Sequence, residues 1–432
     1  MKLTKEQQAL WDGAKGDCMA KIVKTLVLYG DCFGADEMVP VTGTQGHLVT
    51  SFGISTMKPV YDLITDLLNA GVLSSQPFSV DPRPLDPHVP AGFLQSIFFR
   101  IMYSKQAQYE AHLNKLGLIN TDAFTCACYL DEVGNKPEKG DILSWAESSA
   151  VVYANSVLGA RCNRNSAIIE LFGSIAGFVP SFGLLTDEGR KATWIIDVAT
   201  AEKPEAQILG SAIGLKVVEG IPYIKNLDKW LDRELTNTTL NYLKDMGAAT
   251  AADGAVGLYH VENLTPEAKS EGERLIAGNA QEYRIDDAEL SRVRENYPVI
   301  WKNPDAKPKL CFVGCPHLSY TQLIEWTDKL SESLTRHNRR TLNVPTVFTT
   351  APPVLEKFRT TPAYRYLTTV GVVVSGICPL MYMNNPLCGK QPIMTNSNKL
   401  RTYSSARYYT DDEILALISK NKVPSSKDGG ET

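Results

Sequence analysis

The sequence predicts an α/β protein built on doubly wound, mostly parallel sheets, and three observations carry that expectation. Past residue 309, short Val-rich apolar runs alternate with helical patterns, as in a parallel sheet covered on both faces. Apolar content of 44% and charged content of 21% are those of a globular protein. At 432 residues the chain can form two or three lobes with large buried cores.

The elements follow in order. Thr4 with Gln7 reads as a capping box that opens the first helix. Amphipathic helices are expected over residues 18–29 and 57–70, with a glycine-rich loop (42–48) between them. Residues 79–88 hold three prolines, at Pro82, Pro84 and Pro87, which argues against regular helix or central strand. Residues 166–185 carry one charge, Glu170, and the pair Gly173 and Gly177 is spaced as in a membrane helix. Pro180 interrupts that run, so it reads as a buried helix ending near Gly177. Further helices open at Thr265-Pro266 and at Asp286 with Glu289. The Pro-, Asn- and Lys-rich stretch 296–309 divides N-terminal lobes (1–303) from a C-terminal lobe (304–420), and 421–432 reads as a disordered tail. In the C-terminal lobe a strand (310–314) leads to a helix entered at Ser319 with Gln322. A strand (344–349), a helix (354–367), strands (370–375 and 392–395) and a helix opened by Thr410 and Glu413 follow.

Lys+Arg total 44 against Asp+Glu 48, a net charge of −4 with no basic run, which speaks against nucleic acid or a membrane surface as partner. The first residues lack an apolar signal core, and nine cysteines, an odd number, suit a reducing cytoplasm. A soluble cytoplasmic protein is expected. Its thiols are then packing residues or metal ligands.

In an open α/β sheet, ligands bind beyond the carboxyl ends of the strands. Three C-terminal loops fall there: Gly314-Cys315-Pro316-His317, Ser375-Gly-Ile-Cys378-Pro379 and Thr395-Asn-Ser397-Asn-Lys399. A fourth, Thr125-Cys126-Ala-Cys128, comes from the N-terminal lobe. Proline after Cys315 and Cys378 stiffens each turn, which suits thiolate ligation of an iron–sulfur cluster or zinc as well as simple packing. No C-x-x-C pair is present, which speaks against a zinc finger; Cys18, Cys32 and Cys311 read as packing residues, and Cys162 and Cys388 stay open. Between Trp145 and Arg164 lies the densest polar cluster. Its Ser148, Asn155, Arg161 and Arg164 could grip an acid, or could satisfy the backbone of a buried helix.

The run Glu147-Ser-Ser-Ala-Val-Val-Tyr-Ala-Asn-Ser-Val-Leu-Gly-Ala-Arg-Cys-Asn-Arg164 resembles the signature of the aconitase X family. Gly314-Cys-Pro-His-Leu-Ser319, Cys378-Pro379 and Thr395-Asn-Ser-Asn-Lys399 match its other landmarks in the same order. The resemblance implies an aconitase-like multi-lobe architecture and a hydro-lyase with an iron–sulfur cluster of unassigned nuclearity, held by Cys126, Cys315 and Cys378. It implies Lys399, Ser148, Ser149, Ser397 and His47 as catalytic candidates, and Asn155, Ser156, Arg161, Asn163, Arg164 and Thr395 as substrate-binding ones. His317 would tune the cluster. The chain looks like a large subunit that works with a separate small swivelling subunit, which adds catalytic groups including a serine. The chain departs from the family pattern at Ala127 and Cys128 and at Cys162, and its N-terminal loops match less well. The implied reaction is dehydration of cis-3-hydroxy-L-proline, with mevalonate 5-phosphate as the alternative substrate. A non-catalytic iron–sulfur scaffold or sensor is the alternative of another class.

Overall fold

The computed structural model describes residues 1–49 and 58–420, so the expected tail lies outside the described residues. Its C-terminal lobe is a five-stranded sheet in the order Val372–Ser375, Thr346–Thr350, Leu310–Leu318, Ile393–Thr395, Arg407–Tyr408. Every neighbouring pair is parallel. The strand Leu310–Leu318 is buried along its whole length, which accounts for its unbroken apolar run. From it the chain first winds outward through two strands on one side and then returns to the other. That reversal opens a crevice between Leu310–Leu318 and Ile393–Thr395 at their carboxyl ends.

A second, four-stranded parallel sheet runs His260–Val261, Pro222–Lys225, Ala192–Val198, Ile276–Ile285. Helices Ala206–Val217 and Asn237–Asp253 belong to its apolar core, and Gly210 lets them approach closely, since a Cβ there would meet the Met246 carbonyl at 2.2 Å. The first region is mainly helical with two small sheets: Met38–Pro40 antiparallel to Phe178–Pro180, and Gly46–Leu48 parallel to Phe78–Val80. Among the described residues, no helix is long and apolar enough to cross a membrane.

Several expected elements differ in their limits. The helix expected over 354–367 is two, Pro352–Arg359 and Pro362–Val370, because Pro362 brings no N–H and opens a new first turn. The strand expected to stop at Gly314 continues to Leu318 through a register shift against Phe348 and Thr350. Gly314 sits at φ 103, and a Cβ there would lie 2.6 Å from the Thr349 carbonyl. The proline-dense segment begins inside a short strand, Phe78–Val80, that ends before Pro82. The buried helix runs Ala167–Ala176 and ends on left-handed Gly177. Capping boxes form at Thr4, Ser319 and Thr410, whereas the Thr265 hydroxyl turns to the Val261 backbone instead of capping its helix.

Candidate active site

The crevice between the two C-terminal strands opens into a cavity of 420 Å³ that gathers loops from distant parts of the chain. Cys126, Cys315, Cys378, Glu147, Ser148, His317 and Lys399 all line it, together with Asp81, Asn384 and Tyr403. Cys315 lies on the central strand, Cys378 just beyond Val372–Ser375, and Lys399 just beyond Ile393–Thr395, so three strands of one sheet deliver them.

Lys399 is 8% exposed, and its ammonium has three donors to place. It forms an ion pair with Glu147 Oε1 and donates to Ser149 Oγ (2.8 Å) and Ser148 Oγ (3.2 Å). Glu147 is the N-cap of the helix Ser148–Tyr153, and its other oxygen accepts from the Ala150 N–H at 2.7 Å. Burial works against the charge of both groups, but their mutual attraction wins. It holds the Glu147 carboxyl below its ordinary range and the Lys399 ammonium above its own. Lys399 is thus a fixed cation at neutral pH, suited to neutralising developing negative charge rather than to taking a proton.

Burial raises all three cavity thiols, that of Cys378 to about 12. Cys315 couples electrostatically to both of the others, and the His317 N–H donates to Cys126 Sγ at 3.3 Å. Among the described residues no three His, Cys, Asp or Glu side chains converge tightly enough to share one metal ion. Three thiols nevertheless line one cavity, and thiolates are the ligands that iron–sulfur clusters take. The donor set therefore fits an iron–sulfur cluster, whose binding would displace the thiol protons.

His317 ties these loops together. Its Nδ1 shares a hydrogen bond with Thr125 Oγ1 (3.0 Å) and its Nε2 one with the Ile377 carbonyl (3.2 Å). One ring thereby joins the loops of Cys126 and Cys378, from its own place two residues past Cys315. Lys244, which the sequence did not single out, donates to the His317 carbonyl at 2.8 Å from behind. Burial lowers the His317 pKa to about 4 and that of His47 to about 4, so both rings are neutral at pH 7. His47 lies beneath the wall: its Nδ1 shares a 2.9 Å hydrogen bond with Ser79 Oγ, and its Nε2 is buried without a partner among the described residues.

Other expected site residues fall outside the cavity. Asn155 donates to the carbonyls of Cys162 (2.8 Å) and Gly257 (2.9 Å), and accepts from the Cys162 N–H and from Arg190. Ser156 accepts from the Tyr259 N–H, and Asn163 bonds the backbone of Phe182 and Leu184. Arg161 pairs with Asp187 and donates to the Leu185 carbonyl (2.9 Å). These four bond the protein's own backbone and charges and do not line this cavity. Arg164 comes nearer the cavity, feeling the charge of Glu147, but its recorded bond goes to the Gly254 carbonyl (3.4 Å). Ser397 caps the helix Asn398–Tyr403 and donates to the Cys315 carbonyl, while Thr395 accepts from the Ser397 N–H. Both shape the Lys399 turn without lining the cavity.

Glu147, Asp81, Tyr403 and Asn384 also line the cavity, and none of them was singled out by the sequence as a site residue. The signal for Glu147 was its position before Ser148-Ser149, where an acid can cap a helix and hold a cation together. Asp81 and Tyr403 gave no comparable signal.

Models described as aconitase X first, second and third domain match residues 1–188, 192–295 and 308–413. The chain is similar to the phosphomevalonate dehydratase large subunit of Thermococcus kodakarensis, 31% identical over 93% of this chain and 95% of that one. It is similar to the cis-3-hydroxy-L-proline dehydratase of Pseudomonas aeruginosa, 28% identical over 65% of this chain and 47% of that longer one. Its fold matches the crystal structure of holo-form Thermococcus kodakaraensis aconitase X at TM-score 0.79 and 28% identity, covering 96% of this chain and 99% of that one.

Proposed function

The chain belongs to the aconitase X family and is a hydro-lyase of that type, and from this premise we propose that it is the large subunit of a two-chain dehydratase whose reaction centre is the Cys126–Cys315–Cys378–Lys399 cavity. The observation that carries the proposal is the buried Lys399 ammonium, fixed by Glu147, Ser148 and Ser149 in the cavity that the three thiols line.

Dehydration removes a proton next to a carboxylate while a hydroxyl leaves, so negative charge grows on the carboxylate side. Lys399 stands ready to neutralise that charge without reorganisation. Ser148 Oγ, on the cavity wall, orients the substrate. A cluster held by the three thiolates would supply a Lewis acid for the hydroxyl or the carboxylate. Glu147, held ionised by Lys399, fixes the lysine, and His47 is a neutral group beneath it that could relay a proton. The proton-abstracting group comes from elsewhere, and a serine of the small subunit fits that vacancy in the chemistry.

The first reading of the substrate is the zwitterion cis-3-hydroxy-L-proline, dehydrated to a pyrroline-2-carboxylate, supported by the likeness to the cis-3-hydroxy-L-proline dehydratase of Pseudomonas aeruginosa. Phosphomevalonate is the second reading, supported by the near full-length likeness to large subunits that act on it. Turnover assays of the reconstituted pair with each compound separate them. Activity only on the phosphate ester would overturn the zwitterion reading, and activity on neither would overturn both.

A further inference from the structure

Lys399 stands on the helix Asn398–Tyr403, which is six residues long. A helix that short does not hold its shape alone, so its neighbours decide where the Lys399 ammonium stands. Those neighbours are the two helices packed with the four-stranded sheet. The Asn398 N–H donates to Gln207 Oε1 on Ala206–Val217 at 3.0 Å, and the Tyr403 hydroxyl donates to the Ala252 carbonyl at 3.2 Å. Between these two bonds lies a single carboxylate, that of Asp253, the last residue of Asn237–Asp253, with its side chain 2% exposed. Its Oδ2 accepts from Asn398 Nδ2 (2.5 Å) and its Oδ1 from Thr402 Oγ1 (2.5 Å). Arg401 Nη2 donates to both oxygens (2.8 and 3.0 Å), and Ser211 Oγ donates to Oδ2. A carboxylate has about four lone-pair positions, so these bonds saturate it. Arg401 is fixed in turn by a bond from its Nε to Asn398 Oδ1 (2.7 Å) and by the Tyr297 ring, 4.1 Å away.

We propose that Asp253 is the positioning residue for Lys399, an inference that rests on the reading of Lys399 as the fixed cation of the reaction centre. The three donors that Asp253 holds on the short helix are the residue before Lys399 and the second and third residues after it. Lys399 itself reaches a different carboxylate, Glu147. The helix thus lies between two acids: Asp253 holds its frame, and Glu147 holds the ammonium. The buried pair Arg190–Glu267 differs, because its bonds reach no residue that lines the cavity, whereas those of Asp253 run to a helix that carries two, Lys399 and Tyr403. Asp253 falls in the second matched domain and Lys399 in the third, so the packing of one lobe on the other sets the place of the ammonium. Neutralisation of developing charge depends on that place, and a displacement of about 1 Å removes much of it.

The test is Asp253→Asn in the cluster-loaded large chain paired with its small chain. The amide keeps the shape but offers one accepting oxygen in place of two, so the clamp loosens. With a compound that the unaltered pair turns over, kcat should fall about ten- to a hundredfold while KM changes by less than about threefold. Iron content and visible absorption should stay those of the unaltered enzyme. Amide hydrogen exchange over residues 397–403 should speed up about tenfold, with exchange in the five-stranded sheet unchanged. A residue that acts through Lys399 has nothing left to position once the lysine is replaced. Adding Asp253→Asn to the Lys399→Arg chain should therefore cost less than about a further threefold in kcat. Losses that multiply would make Asp253 a general support of the fold and overturn the proposal. Where Asp253→Asn does not fold, Thr402→Val decides, since it removes one donor and keeps the carboxylate. A kcat lower by about threefold or more at unchanged melting temperature supports the clamp, and an unchanged kcat overturns it. Full activity of Asp253→Asn beside a crippled Lys399→Arg overturns the positioning role alone. Full activity of both overturns the reading of Lys399 as well.

Discussion

At the start of the helix Ser148–Tyr153, Glu147, Ser148 and Ser149 turn their polar atoms to Lys399 at the cavity. One turn later, in the π-helical turn Ala154–Leu158, Asn155 turns the other way, to the backbone of Cys162 and Gly257 and to Arg190. Arg190 is 1% exposed and grips Glu267 with two bonds (2.7 and 2.9 Å) while also bonding the Asn155 carbonyl. Residues 147–164 read as one signature, yet the first part faces the cavity and the second bonds to Gly257 and Arg190, beside the neighbouring sheet. A sequence signature thus marks what is constrained together, and only the structure divides chemistry from anchorage.

Substitutions should separate the two regions, and the largest effect is expected on the cavity side. Cys315→Ser should bleach the visible absorption of anaerobically purified protein, remove iron and sulfide, and bring turnover to background. An unchanged spectrum would take Cys315 out of the ligand set.

On the anchoring side, Arg190→Met leaves Glu267 charged and buried without its partner. Stability should fall by about 3–5 kcal/mol. Denaturant unfolding measures this, and the folded fraction should keep its turnover per cluster. A loss of turnover with unchanged stability would place Arg190 in the chemistry.

Acid should weaken the cavity side through its neutral histidines. His47 and His317 have folded pKa values of about 4 against an ordinary value of 6.5, so the unfolded chain binds protons first as pH falls. The stability they contribute is fully present above pH 6.5 and is lost as pH falls through that value toward 4, about 2 kcal/mol each by pH 5. Melting temperatures from pH 7 to pH 5 should drop accordingly, and His317→Gln should flatten part of the slope. A slope unchanged in that variant would mean its ring is not buried neutral.

The smallest effect is expected at Arg161, whose partner Asp187 is 89% exposed. Arg161→Lys should change stability by no more than about 1 kcal/mol and kcat/KM by less than about threefold. A hundredfold loss would restore Arg161 as a substrate ligand.

The alternation of Val-rich strands with capped helices made the C-terminal sheet legible, and Ser319-Gln322 and Thr410-Glu413 announced their own helix starts. Cys315, Cys378 and Lys399 were legible because a parallel sheet sends its strand ends to one edge. Asp81, Tyr403 and Lys244 were not, because their places depend on how the lobes pack, which no local pattern encodes. The partners of Asn155 and Arg161 were illegible for a related reason. A residue that satisfies buried backbone and one that binds an acid need the same donors, and Arg190 and Asp187 are distant in sequence.

The central claim, that Lys399 is the fixed cation of the reaction centre, is tested most directly by Lys399→Arg in the reconstituted pair. Arginine keeps the charge for Glu147 but moves it and changes its donor geometry. Steady-state turnover should fall roughly a hundredfold or more, while cluster absorption and melting temperature stay those of the unaltered enzyme. Turnover within a few fold of the unaltered enzyme, with the same spectrum and stability, would contradict the account.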